Sequence, residues 1–461
     1  MKLSSRFLCG VLLCQLSLAP SLATAASVTA PAVAQAARID GAHISRLTLD
    51  AMSVVAQGED SSLTREQILQ TIIDNRLLAR SIKTRFAAYP MRIGSQRVAF
   101  APDVQIDDLL NGHLRSAYGK QIEARIKQLP GGTLTGLVTE QGKLDGATLD
   151  AVFGTSQSLL LDYNLAPAQL EKAKGVLLMK SALEGLTQIS LYDVYVRQNV
   201  QGRVEFFNRN TEYMRQQAQQ YLAGAYVQEW ARQQFGAAAV EDLRQALLEQ
   251  QQVRALEALH GLGGDEHADG GSKLLAHLAQ AVSAAEIREY YQRHKEEFRR
   301  IDSLRARHIR IADESQARAI GAELSALQGA ALRQRFIALA RRHSMVDAEK
   351  GGDLGWIKHA GRMSWLQELA MLQEVGKVSA PFRAPVGAHE AAWWEIILVE
   401  ERKDGYQAAA SESVRYQAAR AIARRKAAQQ YAQLRAELRS KAKIELNPAL
   451  LAQAGNGSAK P

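Results

Sequence analysis

Arg305-Ala306-Arg307-His308-Ile309-Arg310-Ile311 and, further along, Gly352-Asp353-Leu354-Gly355-Trp356 are the stretches on which the fold turns. The first reads as the opening strand of a compact unit running from about Leu304 to Lys403. Two helices follow at apolar steps of three and four. One carries Ala317, Ile320, Leu324 and Leu327, the other Leu332, Phe336, Leu339 and Ala340. A loop, a further helix and a closing strand over Glu395 to Glu400 complete the unit. Mixed order of this kind predicts a small α/β sandwich.

Working outward, the flanks are helical. Ser283 and Glu286 form a capping-box pattern, and Ile287, Tyr290, Tyr291, His294 and Phe298 continue one apolar face. After Gly405 a helix is predicted from about Ser411 to Lys441, with Val414, Ala418, Ile422, Tyr431, Leu434 and Leu438 as its stripe. Arg420, Arg424, Arg425 and Lys426 lie on or near its outer face, which reads as solvated. A short strand over 442–446 and a loose tail over 447–461 close the chain.

Near the other end, Arg38-Ile39-Asp40-Gly41 predicts a strand and turn after a flexible lead over 26–37. Thr64 and Gln67 then cap a helix bearing Leu69, Ile72, Ile73, Arg76 and Leu77 at helical spacing. Residues 85–280 read as successive helices, among them Pro167 to Gly185 and Thr211 to Phe235. Asp265, His267 and Asp269 alternate within a Gly-rich linker. A solvated hinge is the expected reading there, because a metal site needs oriented ligands.

Composition sets bounds. The 461 residues carry a net charge of +9, or +7 without Lys2 and Arg6. That mild, dispersed excess does not indicate a nucleic-acid reader. Lys2, Arg6, the apolar run Phe7 to Leu18 and Ala23-Thr24-Ala25 read as a secretory signal cleaved near Ala25. The run is too short to span a bilayer, which takes roughly 20 apolar residues. Both cysteines, Cys9 and Cys14, fall inside it, so cysteine chemistry is not expected of the mature chain. Sparse proline and abundant Ala, Leu, Gln and Arg favour helix.

The motifs in 304–403 resemble those of parvulin-type peptidyl-prolyl cis/trans isomerases, and they occur in family order. Arg305 to Ile309 is similar to the opening strand. Phe336, Leu339, Ala340 and Ser344 are similar to the helix and catalytic loop, and Gly352 to Trp356 is the most specific motif. Gly376-Lys377-Val378-Ser379-Ala380-Pro381 and Gly387-Ala388-His389 resemble the later ones. The flanks resemble SurA-type periplasmic chaperones. The implied fold is a predominantly α-helical chaperone module plus one small α/β domain, with a four-stranded sheet and covering helices. The implied divisions are a signal peptide (1–25), the N-terminal part of the chaperone module (26–84), a helical insert of unassigned role (85–280), a connecting helix (281–303), the isomerase domain (304–403), a C-terminal helix and strand packing back on the module (404–446) and a tail (447–461).

By the same resemblance, His308, Asp347 and His389 are the polar site residues, and Leu354, Met363 and Leu366 line the proline pocket. Two positions stay open. Strict counting from Ser344 puts Val346 rather than Asp347 at the loop position, and strand register puts Glu395 rather than His389 opposite His308. The pocket phenylalanine expected after Met363 is replaced by Gln367, with Leu366 or Leu369 left to fill its place. The resemblance implies an exported, periplasmic folding factor whose partners are unfolded or proline-containing exported polypeptides, with neither nucleic-acid binding nor stable membrane insertion. No metal or cofactor is called for. A holdase whose degenerate isomerase domain only grips peptides is the alternative. His343-Ser344 beside Asp347 is a poor protease candidate, because adjacent residues do not make a base–nucleophile–orienter arrangement.

Overall fold

The computed structural model describes residues 35–89, 100–155, 163–263, 272–359, 362–387 and 390–451. The signal segment, the Asp265/His267/Asp269 linker and His389 lie outside them. The described residues fall into two compact units, one of 35–277 with 424–451 and one of 278–423. The strands are β1 (Gln35–Ile39), β2 (Ala42–Ser45), β3 (Val138–Gln141), β4 (Leu177–Leu183), β5 (Leu186–Ser190), β6 (Arg299–Ile311), β7 (Asp353–Lys358), β8 (Phe382–Arg383), β9 (Trp394–Tyr406) and β10 (Ile444–Leu446). Helix predominates elsewhere, with the longest helices at Arg65–Arg85, Pro102–Ile126, Thr211–Phe235, Ala237–Leu259 and Glu412–Lys441.

In the first unit, β1 lies between β10 and β2, all antiparallel, with Ala37 opposite Leu446 and Ile39 opposite Ile444. The Thr64/Gln67 capping box forms and starts the helix Arg65–Arg85. Its inner face buries Ile68, Leu69, Ile72, Ile73 and Leu77. Arg76 is buried on that helix too. Its guanidinium binds Asp242 at 2.8 Å, Glu249 at 3.0 Å and the His43 carbonyl at 2.7 Å. Burial opposes its charge, but the two carboxylates hold its pKa above the usual arginine value.

Four expectations are corrected in this unit. Residues 85–280 are not wholly helical, since β3, β4 and β5 make a three-stranded antiparallel sheet. The helix expected over Pro167 to Gly185 stops at Lys174. Beyond Gly175 the chain extends as β4, and Leu178, Met179, Ser181 and Leu183 turn inward. The tail is not loose from its start, because the Asn447 side chain donates to the Gln35 carbonyl and Leu450 is buried. The lead likewise ends sooner than expected, with Gln35 already in β1.

Two histidines in this unit make its stability pH-dependent. His113 and His260 are buried, and each sets Nδ1 2.8 Å from the carbonyl four residues back. Burial pushes both pKa values below the ordinary 6.5. Below about pH 6.5 the unfolded chain therefore binds more protons than the folded one. Their stabilisation is complete above that pH and is lost as pH falls toward the folded-state values. We expect the urea midpoint to drop between pH 7.5 and 5.5. In His113→Gln/His260→Gln that drop should be visibly smaller, and an unchanged slope would rule these residues out as its source.

The second unit is built on a four-stranded antiparallel sheet of order β7-β6-β9-β8. The predicted strands are longer than expected at the open end, because β6 starts at Arg299 and β9 runs to Tyr406. Period-two alternation splits the side chains between two faces. Ile309, Ile311, Ile396 and Leu398 pack under the helices Glu314–Ser325 and Gly329–His343, where Phe336 is fully buried. Leu304, Ala306, Ile397 and Val399 face the other way, with Leu366 and Ala370 of the short helix Trp365–Met371 over them. A small cluster of Ile287, Phe298, Val414 and Ala418 packs beyond the sheet's end.

Candidate active site

The strand alternation that places Leu304 and Ala306 on one face puts His308 and Arg310 on the same face of β6. In register, Ile397 lies opposite His308 and Glu395 opposite Arg310. His308 is 2 % exposed and Glu395 fully buried. The His308 Nδ1 atom lies 2.8 Å from Glu395 Oε2, and Nε2 lies 3.2 Å from Asp347 Oδ2. One imidazole thus stands between two carboxyl groups. The other Glu395 oxygen accepts from Arg310 Nε at 2.6 Å. The Arg310 guanidinium sits 4.8 Å from the Trp393 ring centroid, within cation–π range.

Asp347 reaches His308 because of how its loop closes. The helix Gly329–His343 ends, and the Met345 N–H donates to the Arg310 carbonyl. Asp347 then takes a left-handed conformation, φ 50°. Its carbonyl accepts from the Gly352 N–H at 2.9 Å, while the His308 N–H donates to the Gly352 carbonyl, also at 2.9 Å. The loop is pinned to the strand at the histidine itself. Lys350 Nζ lies 4.0 Å from the free Asp347 oxygen. Val346 contributes its carbonyl, which accepts from the Ser344 hydroxyl.

Gly352 is the residue this arrangement requires. Its φ is +73°, and a Cβ there would run into the His308 carbonyl oxygen. Neither strain can be relieved by a rotamer change, since both partners are backbone. We expect Gly352→Ala to destabilise the second unit by about 2–4 kcal/mol, read as a lowered thermal midpoint. Loss of less than about 0.5 kcal/mol would show that the loop is not pinned in this way.

Beside the polar chain lies an apolar wall. Leu354 and Met363 are half-buried and pack with buried Leu366 in one cluster with Leu304, Ala306, Ile397 and Val399. The three residues expected to line a pocket are therefore brought together on the face that carries His308. Asp353, next to Leu354, is held elsewhere. Burial would raise its pKa, but the Gly355 N–H and the Arg305 and Arg307 guanidiniums outweigh this and keep it below the usual carboxylate range.

The remaining sequence candidates add nothing to this group among the described residues. His389 lies outside the described residues, and the side chain beside His308 Nδ1 is Glu395. Ser344 Oγ is occupied by backbone, donating to the Val346 carbonyl and accepting from the Arg310 N–H, while His343 pairs with Gln316. That leaves the serine without a base. No group of three or more His, Cys, Asp or Glu side chains able to hold a metal occurs among the described residues. Arg310 had no sequence signal beyond its place on the strand, and nothing in the sequence tied Trp393, just before β9, to it.

This architecture, a four-stranded antiparallel sheet with two helices on one face and a histidine-bearing floor on the other, is that of a parvulin-type rotamase domain. Residues 305–393 match the family model described as "Rotamase: PPIC-type PPIASE domain". The chain is 36% identical over 121 residues to the foldase protein PrsA of Caldanaerobacter subterraneus subsp. tengcongensis, which covers 25% of this chain and 37% of that protein. It is 36% identical over 115 residues to the chaperone SurA of Thiobacillus denitrificans, covering 25% and 24%. Among solved structures, a SurA-like chaperone from Campylobacter jejuni aligns with 57% of this chain and 97% of its own at 19% identity, with a TM-score of 0.22. The chain thus spans well under half the length of the curated relatives it matches.

Proposed function

We propose that the protein is a peptidyl-prolyl cis/trans isomerase and chaperone that assists the folding of exported polypeptides outside the cytoplasm. The carrying observation is the single sheet face that holds the His308–Asp347 pair together with the Leu354, Met363 and Leu366 cluster. Rotation about an X–Pro bond meets a barrier of roughly 20 kcal/mol because it breaks amide resonance. The two planar isomers differ by only about 0.5–1 kcal/mol. A catalyst therefore transfers no atoms. It has to bind the twisted amide better than either planar form.

In this reading the proline ring rests against Leu354, Met363 and Leu366, which exclude water from the imide. His308 and Asp347 present polar groups to the twisted amide, whose nitrogen gains basicity as resonance is lost. The SurA and PrsA relatives support the chaperone half, as does the wealth of helix flanking the rotamase domain. The signal-like residues 1–25 support export, with cleavage near Ala25 and a periplasmic location. The partners are then unfolded or proline-containing exported chains. Among the described residues no helix is long and apolar enough to cross a membrane. The N- and C-terminal flanks would form the chaperone module, with 85–280 as an insert in it.

The test is line-broadening or exchange NMR on a panel of X–Pro peptides with the full chain. Catalysed exchange that saturates with peptide is the expected result, and exchange at the uncatalysed rate for every peptide would refute the isomerase half. A non-catalytic holdase has one observation in its favour, namely that Glu395 stands where a second imidazole was expected. It requires suppression of client aggregation together with a flat isomerase assay.

A further inference from the structure

We infer that Glu395 and Arg310 act as positioning residues that fix which nitrogen of His308 carries its proton, an inference that rests on the isomerase reading for its catalytic consequence only. A neutral imidazole has one donor nitrogen and one acceptor. His308 faces a carboxyl group on each side, so something must decide which nitrogen donates. Glu395 is fully buried, and its Oε1 is already committed to Arg310 Nε at 2.6 Å. Arginine is a permanent cation and a donor only. A permanent cation at Oε1 favours the carboxylate form of Glu395, an acceptor at both oxygens, so Oε2 receives a hydrogen from Nδ1, 2.8 Å away. Nδ1 therefore holds the neutral ring's proton, and Nε2, on the Asp347 side, is the nitrogen without one.

The rest of the shell keeps that direction. Trp393 lies under the Arg310 guanidinium, and the Arg310 backbone is tied through its N–H to Ser344 Oγ and through its carbonyl to Met345. Arg310 cannot easily turn away from Glu395. The polarity runs Arg310 to Glu395 to His308, three side chains from two adjacent strands. Glu395 lies just beyond residues 305–393, the part matching the rotamase family model.

A sharp consequence follows for Glu395→Gln, which keeps the shape and changes one acceptor into a donor. Arg310 can only donate, so the new amide must turn its oxygen to Arg310 and its NH2 to His308. Nδ1 is then forced to accept, and the neutral ring's proton moves to Nε2. Removing the fixed donor as well, in Glu395→Gln/Arg310→Met, frees the amide to turn round. Its oxygen again receives Nδ1–H. A merely space-filling role for Glu395 would not produce this reversal and rescue.

The experiment is ring 15N–1H correlation NMR on 15N-histidine-labelled full chain, with kcat and KM measured on the same samples. Wild type should show Nδ1–H and an unprotonated Nε2 on the neutral ring. Glu395→Gln should show Nε2–H on the neutral ring, and the double variant Nδ1–H again. With peptide binding left to the apolar wall, kcat should fall about tenfold in Glu395→Gln at nearly constant KM and recover in the double variant. A bare Nδ1 on the neutral wild-type ring, which needs no variant, would overturn the inference. So would an unchanged tautomer in Glu395→Gln, or an inverted tautomer with undiminished kcat. An inactive wild type with the expected ring states would instead refute the isomerase reading and leave the positioning intact.

Discussion

His308→Ala is expected to lower isomerase kcat about a hundredfold, the scale seen when one preorganised polar group is removed from a dry site. The side chain is almost wholly buried, so its loss is felt at both of its partners. Asp347 loses the group that aims it across the loop, and the twisted amide loses a polar neighbour whose orientation the fold has already fixed. Glu395 keeps only Arg310. The substitution also leaves a hollow in a buried position and should cost about 1–3 kcal/mol of stability. Stability and catalysis are separated by measuring turnover well below the variant's melting temperature. Wild-type kcat in a folded His308→Ala protein would reduce the residue to a packing role.

Arg76→Met carries the largest expected effect on stability, a loss of about 3–5 kcal/mol in the first unit. The guanidinium is the common partner of Asp242 and Glu249, the latter 4 % exposed. Asp242 in turn accepts from the Ser45 N–H and the Thr48 hydroxyl, which begin the helix Arg46–Glu59. Arg76 thus ties β2 and the helices Arg65–Arg85 and Ala237–Leu259 at one point. Methionine fills much of the volume but leaves two carboxylates without their cation in a low-dielectric setting. Urea unfolding followed by circular dichroism should show the lower midpoint. Asp242→Asn/Glu249→Gln on the Arg76→Met background should recover part of it, because the stranded charges are then gone. A loss under about 1 kcal/mol would mean that water reaches the carboxylates and screens them.

Much of the sheet and its helices was legible in the chain because local rules decided them. The Thr64/Gln67 and Ser283/Glu286 boxes start helices where they stand in sequence, and both form. The helix stripes of Ala317 to Leu324 and Leu332 to Ala340 become the buried cover of one sheet face. Strand register left Glu395 as the alternative to His389 for the place facing His308; Glu395 stands in register with Arg310 instead and reaches His308 Nδ1 diagonally, while His389 lies outside the described residues.

What escaped depends on distance or on backbone hand. Counting from Ser344 left Val346 and Asp347 open, since a count assumes ordinary backbone. The left-handed turn at Asp347 swings that side chain onto His308. The sheet of β3, β4 and β5 was hidden because its strands are short and expose Glu140, Lys180 and Gln188. Arg76 fell at the same helical spacing as Leu69, Ile72, Ile73 and Leu77, but its role stayed hidden because its carboxylate partners come from a helix far along the chain. Arg310 escaped for a similar reason. Only the pairing of β6 with β9 reveals that it holds Glu395.

The most direct measurement is the slow, proline-limited refolding phase of an unrelated test protein, followed with and without the full chain at catalytic concentration. This phase should accelerate in proportion to added protein, and His308→Ala should abolish most of the gain. A slow phase whose rate is the same with or without the wild-type chain, while aggregation is still suppressed, would contradict the isomerase reading and leave a peptide-gripping chaperone in its place.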